Sequence, residues 1–304
     1  MEGLYHSTRP GAMRRHPIIV GCAIIIAAVF VLLMVSTVFF GPPSGQKIHF
    51  FSGKKVALVE IKGVILESGD ILDELEEHRK NSDIRAVVVR IDSPGGAVGP
   101  SQEIYSTLKQ LDQEKPVIAS MGSVAASGGY YIALGARKII ANPGTVTGSI
   151  GVIVEISNIE DLMKWAKVRQ EVIKSGPYKD IGSPFRSMTD EERQILKDFV
   201  GDVYDQFVTA VEKSRKIKKV EVLKLANGMI YTGKHALDLK LIDQLGTIND
   251  AIKVAAKEAG IEGEPEVVPP IKRTFLRQLM EGQFKGFENI IPWEGIRVMY
   301  LFRL

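Results

Sequence analysis

The chain has 304 residues, of which 45% are apolar and 25% charged, which supplies core material for one large or two small domains. Its formal net charge of +3 comes from dispersed basic residues, which excludes a nucleic-acid footprint. Its single cysteine, Cys22, excludes both a disulfide framework and a thiolate zinc site within the chain.

From Pro17 to Gly41 no residue carries a charge. At about 1.5 Å rise per residue such a run spans the roughly 30 Å hydrocarbon core of a bilayer. A cleaved signal peptide has an apolar region of about 7 to 15 residues ending at a small-residue site. This run is longer and ends in Phe39-Phe-Gly-Pro-Pro43. The expectation is a cytoplasmic segment over 1–16, one transmembrane anchor over 17–41 and a stalk over 42–54. Arg14 and Arg15 abut the span, and a long downstream domain translocates largely regardless of charge, so the bulk of the chain is placed outside the cell membrane.

A domain over 55–268 follows. Lys55–Ile65 reads as a strand, Gly69–Asn81 as a charged helix, and Arg85–Asp92 as a strand apolar enough to be buried on both faces. A helix is predicted from about Ser101 to Glu114, then a strand over Pro116–Met121, with short strands at Lys138–Asn142 and Gly151–Glu155. Strands alternating with helices imply an α/β fold, a parallel sheet with helical cover. Thr189-Asp-Glu-Glu192 starts a helix running to about Arg215, with Phe199, Val203, Phe207 and Val211 on a core stripe. The tail over 269–304 mixes aromatic, apolar and basic residues. It reads as a docking arm or a membrane-surface segment first, and as a tail entering an active site second.

Chemistry concentrates at Met121-Gly-Ser-Val-Ala-Ala-Ser-Gly-Gly-Tyr-Tyr131, where a turn of small residues between strand and helix exposes the Ser127 hydroxyl. The free N–H groups of a helix start can stabilise an oxyanion there, although serine is also a preferred N-cap. Asp92-Ser-Pro-Gly-Gly-Ala97 offers outward N–H groups suited to an oxyanion or a phosphate, but without the Gly-Lys-Ser/Thr of a phosphate loop. Partners for the serine are scarce. His6, His16 and His49 lie at the membrane end, and His78 and His235 read as solvated helix residues. No His-Glu-x-x-His pair exists, and neither cofactor nor metal is expected. A lysine serves as base only when its surroundings bring its pKa down from about 10.4. Lys174 and Lys179 are available in a stretch bounded by glycine, proline and serine.

Together these motifs resemble the signal peptide peptidase A family of serine-lysine membrane peptidases, in its short single-copy form. The likeness rests on Asp92-Ser-Pro-Gly-Gly96, Ala126-Ser-Gly-Gly-Tyr-Tyr131, Thr147-Gly-Ser-Ile-Gly-Val152 and Ile173-Lys-Ser-Gly-Pro-Tyr-Lys-Asp180. It continues through Ser183–Glu192 and Gly233–Gly246 and covers about Val56 to Ala256. The resemblance implies a Clp protease/crotonase-like fold, Ser127 as nucleophile, Lys179 as general base and Ser149 as the serine that orients the lysine. It also implies Gly96 and Gly128 as oxyanion donors, apolar remnant signal peptides as substrates, and a ring-shaped homo-oligomer with active sites shared between subunits. A crotonase-type acyl-CoA enzyme and a non-catalytic membrane scaffold are the alternatives.

Overall fold

A computed structural model describes residues 24–31, 54–271 and 297–302. The chain divides into two compact units, Met1–Phe51 and Ser52–Leu304. In the first, the described residues form one helix, α1 (24–31), with exposed side chains. Among the described residues no helix is long and apolar enough to cross a membrane. The remainder of the expected anchor, 17–23 and 32–41, lies outside them, as does the expected stalk except for Lys54.

The second unit opens with β1 (Lys55–Lys62), α2 (Gly69–Lys80), β2 (Ile84–Ser93), β3 (Gly95–Ala97), α3 (Val98–Glu114), β4 (Val117–Ala126) and α4 (Gly128–Ala133). It continues through β5 (Lys138–Ala141), β6 (Val146–Gly148), β7 (Ile153–Glu155), α5 (Glu160–Trp165), α6 (Asp190–Arg215) and α7 (Lys219–Leu225). Then come β8 (Ile230–Thr232), α8 (Gly233–Asp238), β9 (Gln244–Leu245), α9 (Ile248–Glu258), β10 (Glu266–Val268) and, in the tail, β11 (Arg297–Leu301).

The main sheet runs β10-β1-β2-β4-β5-β9, with β6 on the far end of β4 and β8 on β6. Its pairings are parallel except β6 with β8. In β2, Ala86 to Val89 are all fully buried, as expected of a central parallel strand covered on both faces. Alternate residues serve two cores. Val87 and Val89 pack with residues of α2, α3, α4 and α6, whereas Ala86 and Val88 pack with Ala251, Ala255 and Ala256 of α9. Burying each such valine contributes about 1.5 kcal/mol or more.

The sheet is more mixed than the predicted one. The expected strand at Gly151–Glu155 is shortened to Ile153–Glu155 and leaves the main sheet, because Gly148 (φ +80°) and Ser149 (φ +50°) turn the chain after β6. It joins β3 and β11 in a separate antiparallel sheet. Helix α6 starts as anticipated: Thr189 accepts from the Glu192 N–H and the Glu192 carboxylate accepts from the Thr189 N–H. On its stripe Val203, Phe207 and Val211 are buried, but Phe199 is exposed. His78, expected in solvent, is only 3% exposed, because Leu75 and His78 form the inward side of α2. His235 is exposed as expected.

Candidate active site

Ser127 owes its position to the long parallel strand before it. The main ladder of β2 and β4 ends at Ile91 opposite Met121 and resumes at Ser93 opposite Ala125, so β4 carries an irregular stretch over 122–124. Asp92 holds that stretch by accepting from the Val124 N–H at 3.1 Å. Beyond it β4 switches partner to β6, and the Ser127 N–H donates to the Gly148 carbonyl at 2.8 Å. The Ser127 carbonyl then accepts from the Tyr131 N–H at 2.8 Å, which closes the first turn of α4.

The backbone at Ser127 is strained, with φ +52° and ψ −115°. A non-glycine residue held there costs about 1–3 kcal/mol, and such strain persists only where the surroundings impose it. The capping alternative does not hold: Ser127 sits at the N-cap position, but its side chain makes no cap hydrogen bond. The hydroxyl is therefore not committed to the helix.

Glycines let β3 and the head of α4 touch. A Cβ on Gly128 would lie 2.8 Å from the Ser101 hydroxyl and 3.1 Å from the Gly96 nitrogen. A Cβ on Gly96 would lie 2.0 Å from the Ile65 carbonyl oxygen. The two expected oxyanion donors thus sit side by side next to Ser127, where their N–H groups could polarise one carbonyl.

Ser149 follows Ser127 into the same place. It is buried, has φ +50°, and its N–H donates to Met229 at 2.7 Å. Ser127 and Ser149 line one cavity of about 500 Å³ together with Gly151, Tyr204, Gly228 and Leu301. The structure therefore brings together Ser127, Ser149, Gly96 and Gly128.

Lys179 is elsewhere within the single chain. It is exposed, on a turn closed by its own N–H to the Gly176 carbonyl at 3.3 Å, and it does not line the serine cavity. Its neighbours are pinned. The Arg186 guanidinium holds both Asp180 oxygens at 2.9 Å and reaches Glu192, while Lys174 reaches Asp180 at 2.5 Å. The Arg186 and Lys174 hydrogen bonds hold the Asp180 carboxyl far below the usual carboxylate range. Lys174 is thereby committed to structure. Among the described residues the Lys179 ammonium has no ion pair, so it is the uncommitted lysine of the two.

Sequence reasoning gave the tail no firm place. Of the expected 269–304 segment, residues 297–301 form β11, antiparallel between β3 and β7 and alongside the serine cavity. Residues 297–301 thus lie beside the serine cavity, whereas docking or membrane contact was the first expectation for the tail. The continuous apolar run Val298-Met-Tyr-Leu301 was the available signal.

A Clp protease-like α/β fold that strains a serine at a helix head beside two glycine N–H groups defines a class, the serine proteases. Comparison with known proteins agrees. The profile of the Clp protease family matches residues 68–147 and that of peptidase family S49 matches residues 109–262. A Synechocystis sp. protein called "Putative protease" is 44% identical over 75% of this chain and 84% of its own length. "Putative signal peptide peptidase SppA" of Enterococcus faecium is 34% identical over 68% and 64%. "Protease 4" of Salmonella typhi is 32% identical over 82% of this chain but 41% of its own length. The chain belongs to peptidase family S49.

Proposed function

We propose that this protease is a membrane-anchored endopeptidase that uses Ser127 and Lys179 as a dyad to degrade the apolar remnants of cleaved signal peptides. The observation that carries the reading is the strained, uncapped Ser127 beside Gly96 and Gly128. A neutral Lys179 amine takes the hydroxyl proton as the Ser127 oxygen adds to a peptide carbonyl, with Ser149 orienting the amine. The oxyanion faces the Gly96 and Gly128 N–H groups, the amine leaving group departs with a proton, and water cleaves the acyl-enzyme.

Because Lys179 lies outside the serine cavity of its own chain, the dyad in this reading forms between copies in a ring-shaped homo-oligomer. Support comes from the segment around Lys179, which leaves Trp165 81% and Ile173 95% exposed, together with Leu162 and Val172. A face of that kind is suited to burial against a second copy. The charge-free run over 17–41 supports the anchor, and the name of the Enterococcus faecium relative supports the substrate class. The test is a reactive serine probe on the assembled protein. A single adduct at Ser127, lost in Lys179→Ala, is expected; labelling elsewhere, or none on an intact assembly, overturns the assignment.

A further inference from the structure

The motif Ser183–Glu192 supplies no reacting group, yet it holds both chain neighbours of Lys179. On one side the Tyr178 hydroxyl donates to the Glu191 carboxylate. On the other the Arg186 guanidinium donates to the two Asp180 oxygens, at 2.9 Å each, from Nε and Nη2. The same guanidinium reaches both Glu192 oxygens, one of them at 2.8 Å. Glu191 and Glu192 belong to the first turn of α6, so residues 178 and 180 are fastened to one helix end and Lys179 stands between them.

Capping alone does not account for Arg186. Thr189 and Glu192 already close the helix start by exchanging hydrogen bonds, and Arg186 adds a bridge that leaves the helix and ends on Asp180. A fork bidentate to one carboxylate and bonded to a second fixes direction as well as distance, which a point charge does not. These groups keep their charge states where an amine loses its proton. Arg186 hydrogen bonds hold Glu192 near 2 and, with Lys174, hold Asp180 far below the usual carboxylate range. The hydrogen bond to Glu191 pushes the Tyr178 phenol up, so it remains a donor. Turn bonds complete the mount: the Ile181 N–H donates to the Tyr178 carbonyl at 3.2 Å and the Ser183 N–H to the Asp180 carbonyl at 3.0 Å. From Glu191 to Tyr204, which lines the serine cavity, α6 runs about 20 Å at about 1.5 Å per residue. One helix therefore carries a wall of its own serine site and the mount of the lysine.

We propose that Arg186 and Tyr178 are positioning residues for the general base. By fastening residues 180 and 178 to the first turn of α6, they set where the Lys179 amine stands when it meets a serine. This rests on Ser127 and Lys179 as the dyad. In this role both residues act only through the lysine, and a displacement of about 1 Å at its amine costs about a hundredfold in rate.

The test follows adduct formation at Ser127 by a reactive serine probe on the assembled full-length chain, reading both its rate and the final number of adducts per chain. The kcat and KM on one apolar peptide are measured alongside. Arg186→Met should slow labelling and lower kcat about a hundredfold, with KM within about twofold and the final adduct count and native mass unchanged. Arg186→Lys keeps the charge but loses the fork, so it should recover about tenfold of that loss, and Tyr178→Phe should slow labelling about tenfold. A structural role alone would instead give fewer adducts, formed at the unaltered rate. That result, or an Arg186→Met rate equal to the unaltered one, overturns the proposal. If Arg186→Met does not assemble, Tyr178→Phe decides, and an unmoved rate there overturns it. An adduct that forms equally fast in Lys179→Ala sinks the base assignment beneath, and the positioning role with it.

Discussion

The strain at Ser127 makes a quantitative prediction that separates backbone geometry from chemistry. Ser127→Ala and Ser127→Gly both delete the hydroxyl and both should abolish hydrolysis; they differ only in the Cβ atom. At φ +52° and ψ −115° that atom is the source of the strain, which alanine keeps and glycine relieves. Relief is worth about 1–3 kcal/mol, against about 0.4–1 kcal/mol lost because glycine gains more freedom in the unfolded chain. The net expectation is that Ser127→Gly is more stable than Ser127→Ala by about 1 kcal/mol, a melting-temperature rise of about 2–4 °C for a domain of this size. Thermal melts of the two variants in the same detergent measure it, and peptide hydrolysis confirms that both are inactive. A Ser127→Gly protein that melts at or below the Ser127→Ala protein would refute the claim that the fold imposes strain to expose the hydroxyl.

Other positions give narrower tests. A Cβ at Gly96 would lie 2.0 Å from the Ile65 oxygen and 2.6 Å from its carbon and nitrogen, all backbone, so Gly96→Ala must displace β3. It should cost about 1–3 kcal/mol in a melt and about 10²- to 10³-fold in kcat; unchanged turnover would remove Gly96 from the oxyanion site. Lys179→Arg keeps the charge but cannot give up its proton, so it should be as inactive as Lys179→Ala, about 10²- to 10⁴-fold down. In the unaltered chain kcat/KM should climb with pH as an amine deprotonates, and a flat profile contradicts lysine as base. Glu192 titrates near 2 instead of 4.5, chiefly because Arg186 hydrogen-bonds it and then because it accepts from the Thr189 N–H. A depressed folded value means stabilisation present in full above 4.5 and lost as pH falls toward 2. Protection of the 187–193 amides, measured against their intrinsic exchange rates at each pH, should therefore fall across that window, and Arg186→Met should weaken the dependence.

The sheet was legible because β1, β2 and β4 are short apolar runs between helices whose polar faces repeat at helical spacing. Ser127 was legible for a local reason: a serine flanked by alanines and glycines between a buried strand and a helix has few uses. Its torsion angles were not, since strain is imposed by the switch of β4 from β2 to β6 and by close contacts that span the sequence. His78 misled because a glutamate-rich helix looks solvated until its partner face on α3 is known. The packing around Tyr300 escaped for the same reason in stronger form: Tyr131 of α4 and Phe207 of α6 meet a strand about 80 residues beyond the end of α6, and no local pattern ties them together. Lys179 was legible only through the family resemblance: in the proposed reading a neighbouring copy supplies the base, and the single chain shows just an exposed lysine near exposed apolar side chains.

Mixing two dead proteins tests the shared site most directly. Ser127→Ala retains Lys179 and Lys179→Ala retains Ser127, so co-assembled rings hold some junctions where an intact serine meets an intact lysine. Random one-to-one mixing makes about a quarter of junctions complete in a head-to-tail ring. The account predicts recovery of about a quarter of the unaltered activity, and mixed assemblies that stay as inactive as either variant alone would contradict it.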